Sequence, residues 1–442
     1  MRVSHTLDRL HVGFDDQRLV AEAGLLLPAT LSQHLGLSDL IDEVVNLGEV
    51  PGAAHPGEKA MTVISSVLAG GDCIDDVDAL RAGGCGAVVG HRVAAPSTVG
   101  TFLRAFRWGH VRQLDAAGRE ILARAWKAGA GPGADPLTID VDSTICETYG
   151  LLKQGGARFT YTHVRGYHPL LAVAAGTGDV LHARLRGGSA NSVRGAASFV
   201  GETVSRVRAA GATGDLVLRT DSGFFSSMVV RTCRRHGVRF SITVRLRKEL
   251  HRVIAEIPED AWVPIPYFHD AAEVAETTYT PFRRHDAKPV RLIVRRIRPT
   301  PGSQLALEGI LFTHHAFITD RDGDTLELEA DHRRHAEVEN TIRDLKEGVA
   351  LNHLPSGRFA ANAAWLALNV IAHNLARWVS RLGLGEALVR TKTLRFRHFS
   401  LPGRLARSAR RLHLHLPAAW PWAQLFLAAL DRLRALQPLT PA

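Results

Sequence analysis

Asp142 closes the alternating segment PLTIDVDST, and Asp221 closes the apolar run of DLVLRTDSGF. Glu339 lies far downstream in the basic stretch DHRRHAEVENTIRDLKEG. Carboxylates are hard oxygen donors, and three in one pocket suit two divalent cations that clamp a phosphodiester between its attacking and leaving oxygens. The chemistry this predicts is the cutting and joining of nucleic-acid strands.

The elements that must carry these acids can be read from periodicity. In PLTIDVDST, Leu137, Ile139 and Val141 share one face, and Asp140 and Asp142 share the other, as a strand requires. Asp140 therefore competes with Asp142 for the first position. GYHPLLAVAAGTGDVLHARLRGG predicts a hairpin turning at Gly176-Thr177-Gly178. A helix follows with the stripe Val193, Ala197, Val200, Val204 and Val207. DLVLRTDSGF predicts a short strand ending at Asp221, then a helix to about His236 and a strand in VRFSITVRL. Strand, hairpin, helix, strand, helix, strand is the order of a ribonuclease-H-like core, whose strand ends open into a cleft where ligands gather.

Around that core the spacing predicts four regions. Residues 1–130 are helical and suit either a DNA-binding region, with Arg104 and Arg107 near the capped start PSTVGTF as phosphate contacts of a helix-turn-helix kind, or an ordinary helical packing layer. The Gly/Pro-rich AGAGPGADP marks the boundary to the core, assigned to 135–246 and 331–380. Residues 247–330 are extended and read as an inserted β-rich domain, and 381–442 as a basic C-terminal region. The fold class is thus α/β, a mixed-sheet catalytic core with a β insertion and a helical N-terminal region.

Over 332–348 each helical residue turns about 100°. Val338, Ile342, Leu345 and Val349 form the packing stripe, and His332, His335, Glu339 and Lys346 cluster on an adjacent face. Glu337 falls on the opposite side. The competing role for Glu339 is an ion pair with Arg343, four residues on.

Composition agrees with a polyanionic partner. The chain of 442 residues carries a formal charge of +10 and a pI near 9.9. LVRTKTLRFRHFSLPGRLARSARRLHLHLP has eight Lys or Arg and no acid, which suits neutralisation of a DNA backbone. Cys73, Cys85, Cys146 and Cys233 form no C-x-x-C pair, which argues against a disulfide framework and a structural zinc site and fits a reducing cytosol. No membrane span is expected, since FAANAAWLALNVIAHNLARW is interrupted by Asn and His. The acidic run at Asp72, Asp75, Asp76 and Asp78 lacks the glycine of a calcium loop and reads as a solvated helix start. Trp262 reads as core.

Asp142-Ser143-Thr144 in D-x-T form, the D-S-G-F of Asp221 to Phe224, and His332, His335, Glu339 and Lys346 at the spacing of a Y-x2-R-x3-E-x6-K signature resemble the DDE transposases of bacterial insertion sequences, DDE group 1. His stands here where that signature has Tyr and Arg. The resemblance implies Asp142, Asp221 and Glu339 as catalytic metal ligands for Mg²⁺ or Mn²⁺. Asp142 would bridge the two ions. It implies DNA contacts by Lys346 and, around it, by His332, His335 and Arg343. It further implies terminal inverted repeats and target DNA as partners, a homodimer on paired ends, and a cytoplasmic, nucleoid-associated protein. Two rivals stand beside it: a zinc enzyme using His332 with His335 or His314 with His315, and a catalytically decayed, DNA-binding derivative of a transposase.

Overall fold

Leu137–Ser143, with Leu137, Ile139 and Val141 buried, is the first strand (β1) of a nine-stranded sheet in the computed structural model, which describes residues 7–149, 156–267, 272–283, 288–386 and 389–437. The strands that follow are β2 (Leu170–Ala174), β3 (Val180–Arg184), β4 (Leu216–Thr220) and β5 (Arg239–Thr243). After them come β6 (Val263–Pro264), β7 (Ala272–Tyr279), β8 (Val290–Ile297) and β9 (Thr313–Thr319). Their order across the sheet is β6-β7-β8-β9-β5-β4-β1-β2-β3. Within it β3-β2-β1-β4-β5, parallel at β1/β4 and β4/β5 and antiparallel at β1/β2 and β2/β3, is the ribonuclease-H-like arrangement.

The β2–β3 hairpin turns where expected, with Gly176 at φ 80° and Gly178 at φ 71°, conformations open to glycine and costly for other residues. The strands of the insertion hydrogen-bond onto the core sheet: β9 pairs antiparallel with β5, Ile318 opposite Ile242. Ile265, Val274, Ile293, Phe317 and Leu328 form a small core of their own beside the main one.

Helices cover this sheet. In the N-terminal region they are α1 (Leu26–His34), α2 (Leu37–Val44), α3 (Pro56–Ala69), α4 (Pro96–Ala105) and α5 (Trp108–Ala125). Between β3 and β5 lie α6 (Ala196–Ala209), which buries Phe199, Val200, Val204 and Val207, and α7 (Ser227–Arg235), capped by the Ser226 hydroxyl accepting from the Val229 amide. After the insertion come α8 (Thr325–Arg333), α9 (Val338–Gly348) and α10 (Phe359–Trp378).

Helix α10 is apolar on nearly every side and is packed by α3, α4 and α5, so the N-terminal helices wrap a helix from the far end of the chain. Its Asn and His residues are docking groups. Asn374 accepts from the Val180 amide and donates to the Val180 carbonyl, both at 2.8 Å, and His373 Nε2 lies 3.0 Å from the Gly178 carbonyl. Asn374→Ala leaves two buried backbone groups unpaired and is expected to cost about 1–3 kcal/mol, read from the denaturant midpoint. None of the described helices is long and apolar enough to cross a membrane.

The C-terminal hairpin, β10 (Gly403–Ser408) and β11 (Arg411–His415), pairs with the short strand Leu19–Val20, Leu19 opposite Arg404. The chain closes with α11 (Ala423–Arg434), which packs on α1. All four cysteines are free thiols.

Candidate functional site: three acids at the end of the sheet

Strands β1 and β4 are parallel neighbours with Asp140 beside Arg219 and Val141 beside Thr220. The ladder stops there, so Asp142 and Asp221 are the next residues on two strands that pairing sets about 5 Å apart. The Ser143 amide donates to Asp142 Oδ1 at 2.6 Å. Asp221 caps the tight turn Ser222–Phe224, its Oδ1 accepting from the Gly223 amide at 2.9 Å. The D-S-G-F run is therefore a turn that lifts one carboxylate off the strand end and holds it there.

Glu339 sits in the first turn of α9, where the helix dipole favours a negative charge. The stripe Val338, Ile342, Leu345 and Val349 is buried, as its spacing predicts. The helix is not continuous over 332–348, however. A 3-10 turn at Arg334–Glu337 separates α8 from α9, and the Arg334–Glu337 pair, 3.1 Å apart, suits the tighter spacing in which residues three apart eclipse.

The break is fixed from the sheet. Asp140, 1% exposed, accepts from Arg219 Nε at 2.6 Å and Nη2 at 2.8 Å, and His335 Nδ1 lies 2.9 Å from the same carboxylate. Arg219 also donates to the Asp331 carbonyl at the end of α8, and Asp331 pairs with Arg321. Asp140, the competitor on the strand face, is thus consumed by a buried bidentate pair that pins the α8–α9 junction to β1 and β4.

Asp142 has the perturbed charge of the group. Its carboxyl is pushed up to about 6, chiefly by burial and in smaller part by the charges of Asp221 and Glu339, against the pull of the Ser143 amide and the nearby His335. Asp142 therefore feels the charges of two acids that are distant in sequence. The three are not gathered into a single-ion cage: among the described residues the cluster with ligand atoms all within 4.8 Å is Asp72, Cys73 and Asp76. In that cluster the Asp76 carboxylate is occupied by the amides of Asp72 and Cys73. Two ions about 4 Å apart with bonds near 2 Å would accommodate outer ligands up to about 8 Å apart. The all-oxygen donor set and its like-charge repulsion fit hard divalent cations.

The basic residues around the acids divide by their contacts. Glu339 and Arg343 are both exposed and form no ion pair with each other. Lys346 is half-buried, near enough to Cys146 for its charge to lower a thiol that burial pushes up to about 12. His332 is turned inward: its Nδ1 lies 2.7 Å from the Ser241 hydroxyl, its Nε2 2.9 Å from that of Thr243, and its ring stacks on Phe317. Burial holds it well below its usual value, and the two hydroxyls engage both nitrogens, leaving none for a phosphate. The helical wheel placed it beside Glu339 because it assumed an unbroken helix. His314 and His315 are adjacent on β9 and point to opposite faces, which separates them as zinc ligands. Trp262 packs under Arg296, 4.2 Å from its ring centre.

Periodicity gave no signal for the loop beside Asp142. Ser143 Oγ contacts His168 Nε2 at 2.9 Å and Ser192 Oγ at 3.1 Å, and His168 Nδ1 lies 2.7 Å from the Ala190 carbonyl. Buried Arg186 donates to the carbonyls of His168, Asn191, Ser192 and Arg194 and so shapes this loop. Ser192 lies against Gly223, next to Asp221. The nearest sequence sign was the polar run RGGSANSVRG, legible only as a break between β3 and α6.

No curated protein matches this chain. Among solved structures, a cryo-EM structure of a piggyBac transposase synaptic complex with hairpin DNA is similar at 13% identity and a TM-score of 0.47, over 86% of this chain and 80% of that one. The family model described as transposase DDE domain group 1 matches residues 4–438, nearly the whole length, and the chain belongs to that family.

Proposed function

We propose that this protein cuts and joins DNA strands at the ends of an insertion sequence, with Asp142, Asp221 and Glu339 as the metal-ligating carboxylates. What supports the reading is the parallel β1–β4 register, which brings the ends carrying Asp142 and Asp221 together, with the charges of Asp221 and Glu339 adding to the rise that burial chiefly causes at Asp142. Mg²⁺ or Mn²⁺ bound there would supply charge neutralisation at the phosphodiester and acidify the attacking water or 3′-hydroxyl. Asp142, the most buried of the three, would hold the ions together with Asp221 and Glu339. Asp221 is oriented by its turn, and Glu339 by the pinned α8–α9 junction. Lys346 and Arg343, on the same helix as Glu339, meet DNA phosphates, Lys346 as a point charge and Arg343 as a fork. His335, held by Asp140, orients the catalytic helix and faces the acids. The DNA partners are the element's terminal inverted repeats and a target duplex, engaged by two copies of the chain.

Purified protein incubated with a duplex carrying the element's end is expected to nick it with Mg²⁺ or Mn²⁺ and to leave it intact in EDTA. Tight binding without cleavage under any divalent cation would overturn the catalytic assignment and favour the decayed derivative.

A further inference from the structure

We propose that the hairpin β10–β11 is a DNA-contacting arm, a two-stranded ribbon that lies on a duplex groove with Arg407, Arg410 and Arg411 on phosphates. The inference rests on the reading that this protein works on duplex DNA, and adds a surface to it. Leu405 is the last buried residue of the outgoing strand; beyond it every residue from Arg407 to His413 is exposed. Four residues at about 3.4 Å each carry the tip about 14 Å past Leu405. The register pairs Ser408 with Arg411 and Arg407 with Leu412, so arginines occupy both faces of the free end.

Charge on the arm is unopposed. The sequence has no Asp or Glu between Glu386 and Asp431. Arg404, at the base, is paired with Asp16 at 3.1 Å, but Arg407, Arg410 and Arg411 make no ion pair or side-chain hydrogen bond among the described residues. Basic residues on an edge strand also discourage strand pairing between molecules. That role alone does not explain the tip. Ala409 and Arg410 both adopt left-handed backbone, φ 44° and 68°, in a turn that Asn-Gly would satisfy without strain. The strained turn keeps an arginine side chain at the extremity, and strain of this kind is held where a segment has a task. A two-stranded ribbon also matches the roughly 12 Å width of a B-DNA major groove.

The test is a salt titration of duplex binding by the full chain, followed by fluorescence anisotropy with a labelled 30-base-pair duplex. Each phosphate contact contributes about 0.9 to the slope of log K against log salt. The triple variant R407Q/R410Q/R411Q is expected to lower that slope by about 2 to 3, with an unchanged melting temperature. The triple Lys variant should retain the slope, since the positive charges remain. If wild type binds and the Gln variant keeps its slope, the arm is overturned. Loss of self-association with an unchanged slope also overturns it, in favour of a contact between copies. If wild type itself binds no duplex, the failure lies with the DNA reading beneath it.

Discussion

Asp142→Asn is expected to abolish strand cleavage and, in the absence of divalent cations, to make the protein more stable. On the proposed site the first effect follows from losing a metal-ligating carboxylate, which would remove several kcal/mol of transition-state stabilisation and slow cleavage by on the order of 10³ or more. The second follows from the carboxyl being pushed up to about 6 from 3.8. Between those values the folded state holds this proton and the unfolded state has released it. Stability from this group is therefore present below about pH 4, falls as pH rises towards 6, and stays lost above that. At pH 7 the loss is at most about 3 kcal/mol, and Asn removes it. Thermal melts in EDTA should show the variant a few degrees above wild type at pH 7 and level with it near pH 4. Mg²⁺ should raise the wild type and leave the variant unmoved. A variant that cleaves, or one that melts lower than wild type at pH 7 without metal, would sink the assignment of Asp142.

Arg219→Met carries the largest expected loss of stability. Arg219 is 1% exposed and joins Asp140 to the end of α8, so its removal strands the Asp140 carboxylate in the core. Breaking one partner of such a buried pair costs about 3–5 kcal/mol. The double variant Asp140→Asn with Arg219→Met should recover part of that, giving a coupling energy of about 1–3 kcal/mol in a double-mutant cycle read by denaturant unfolding. Additive losses would show that the pair is not the pin described. Wherever the single variant still folds, cleavage should fall further than duplex binding, because cleavage on the proposed site needs Glu339 placed closely, whereas Arg343 and Lys346 of the same helix can still meet phosphate by charge.

The elements that carry the proposed acids were legible because each follows a pattern that physics forces. Asp142 lies near the end of an alternating strand, Asp221 follows a buried strand and caps a turn, and Glu339 flanks a helical stripe whose burial Val338 and Leu345 display. Arg219 was not legible. Within DLVLRTD it occupies a strand position like any other, and its partner Asp140 is a neighbour only across the β1–β4 register. The break at Arg334–Glu337 was hidden for the same reason: a local wheel assumes an unbroken helix, whereas His335 is drawn out by Asp140. The serine and histidine contacts around Ser143 arise from a loop whose shape Arg186 imposes through backbone carbonyls, which leave no trace in side-chain periodicity.

Leu19 and Arg404 are strand partners, as are Val20 and Gly403. At ribosomal rates of about 5–20 residues per second, roughly a minute or less separates the emergence of one from the other. Until then the early strand has no ladder to join, and α10, which α3, α4 and α5 enclose, is itself made only shortly before. Vectorial synthesis therefore cannot finish the N-terminal half first. Its helices must wait, loosely collapsed, for late segments to arrive, and chaperone demand should peak while the polypeptide is still tethered.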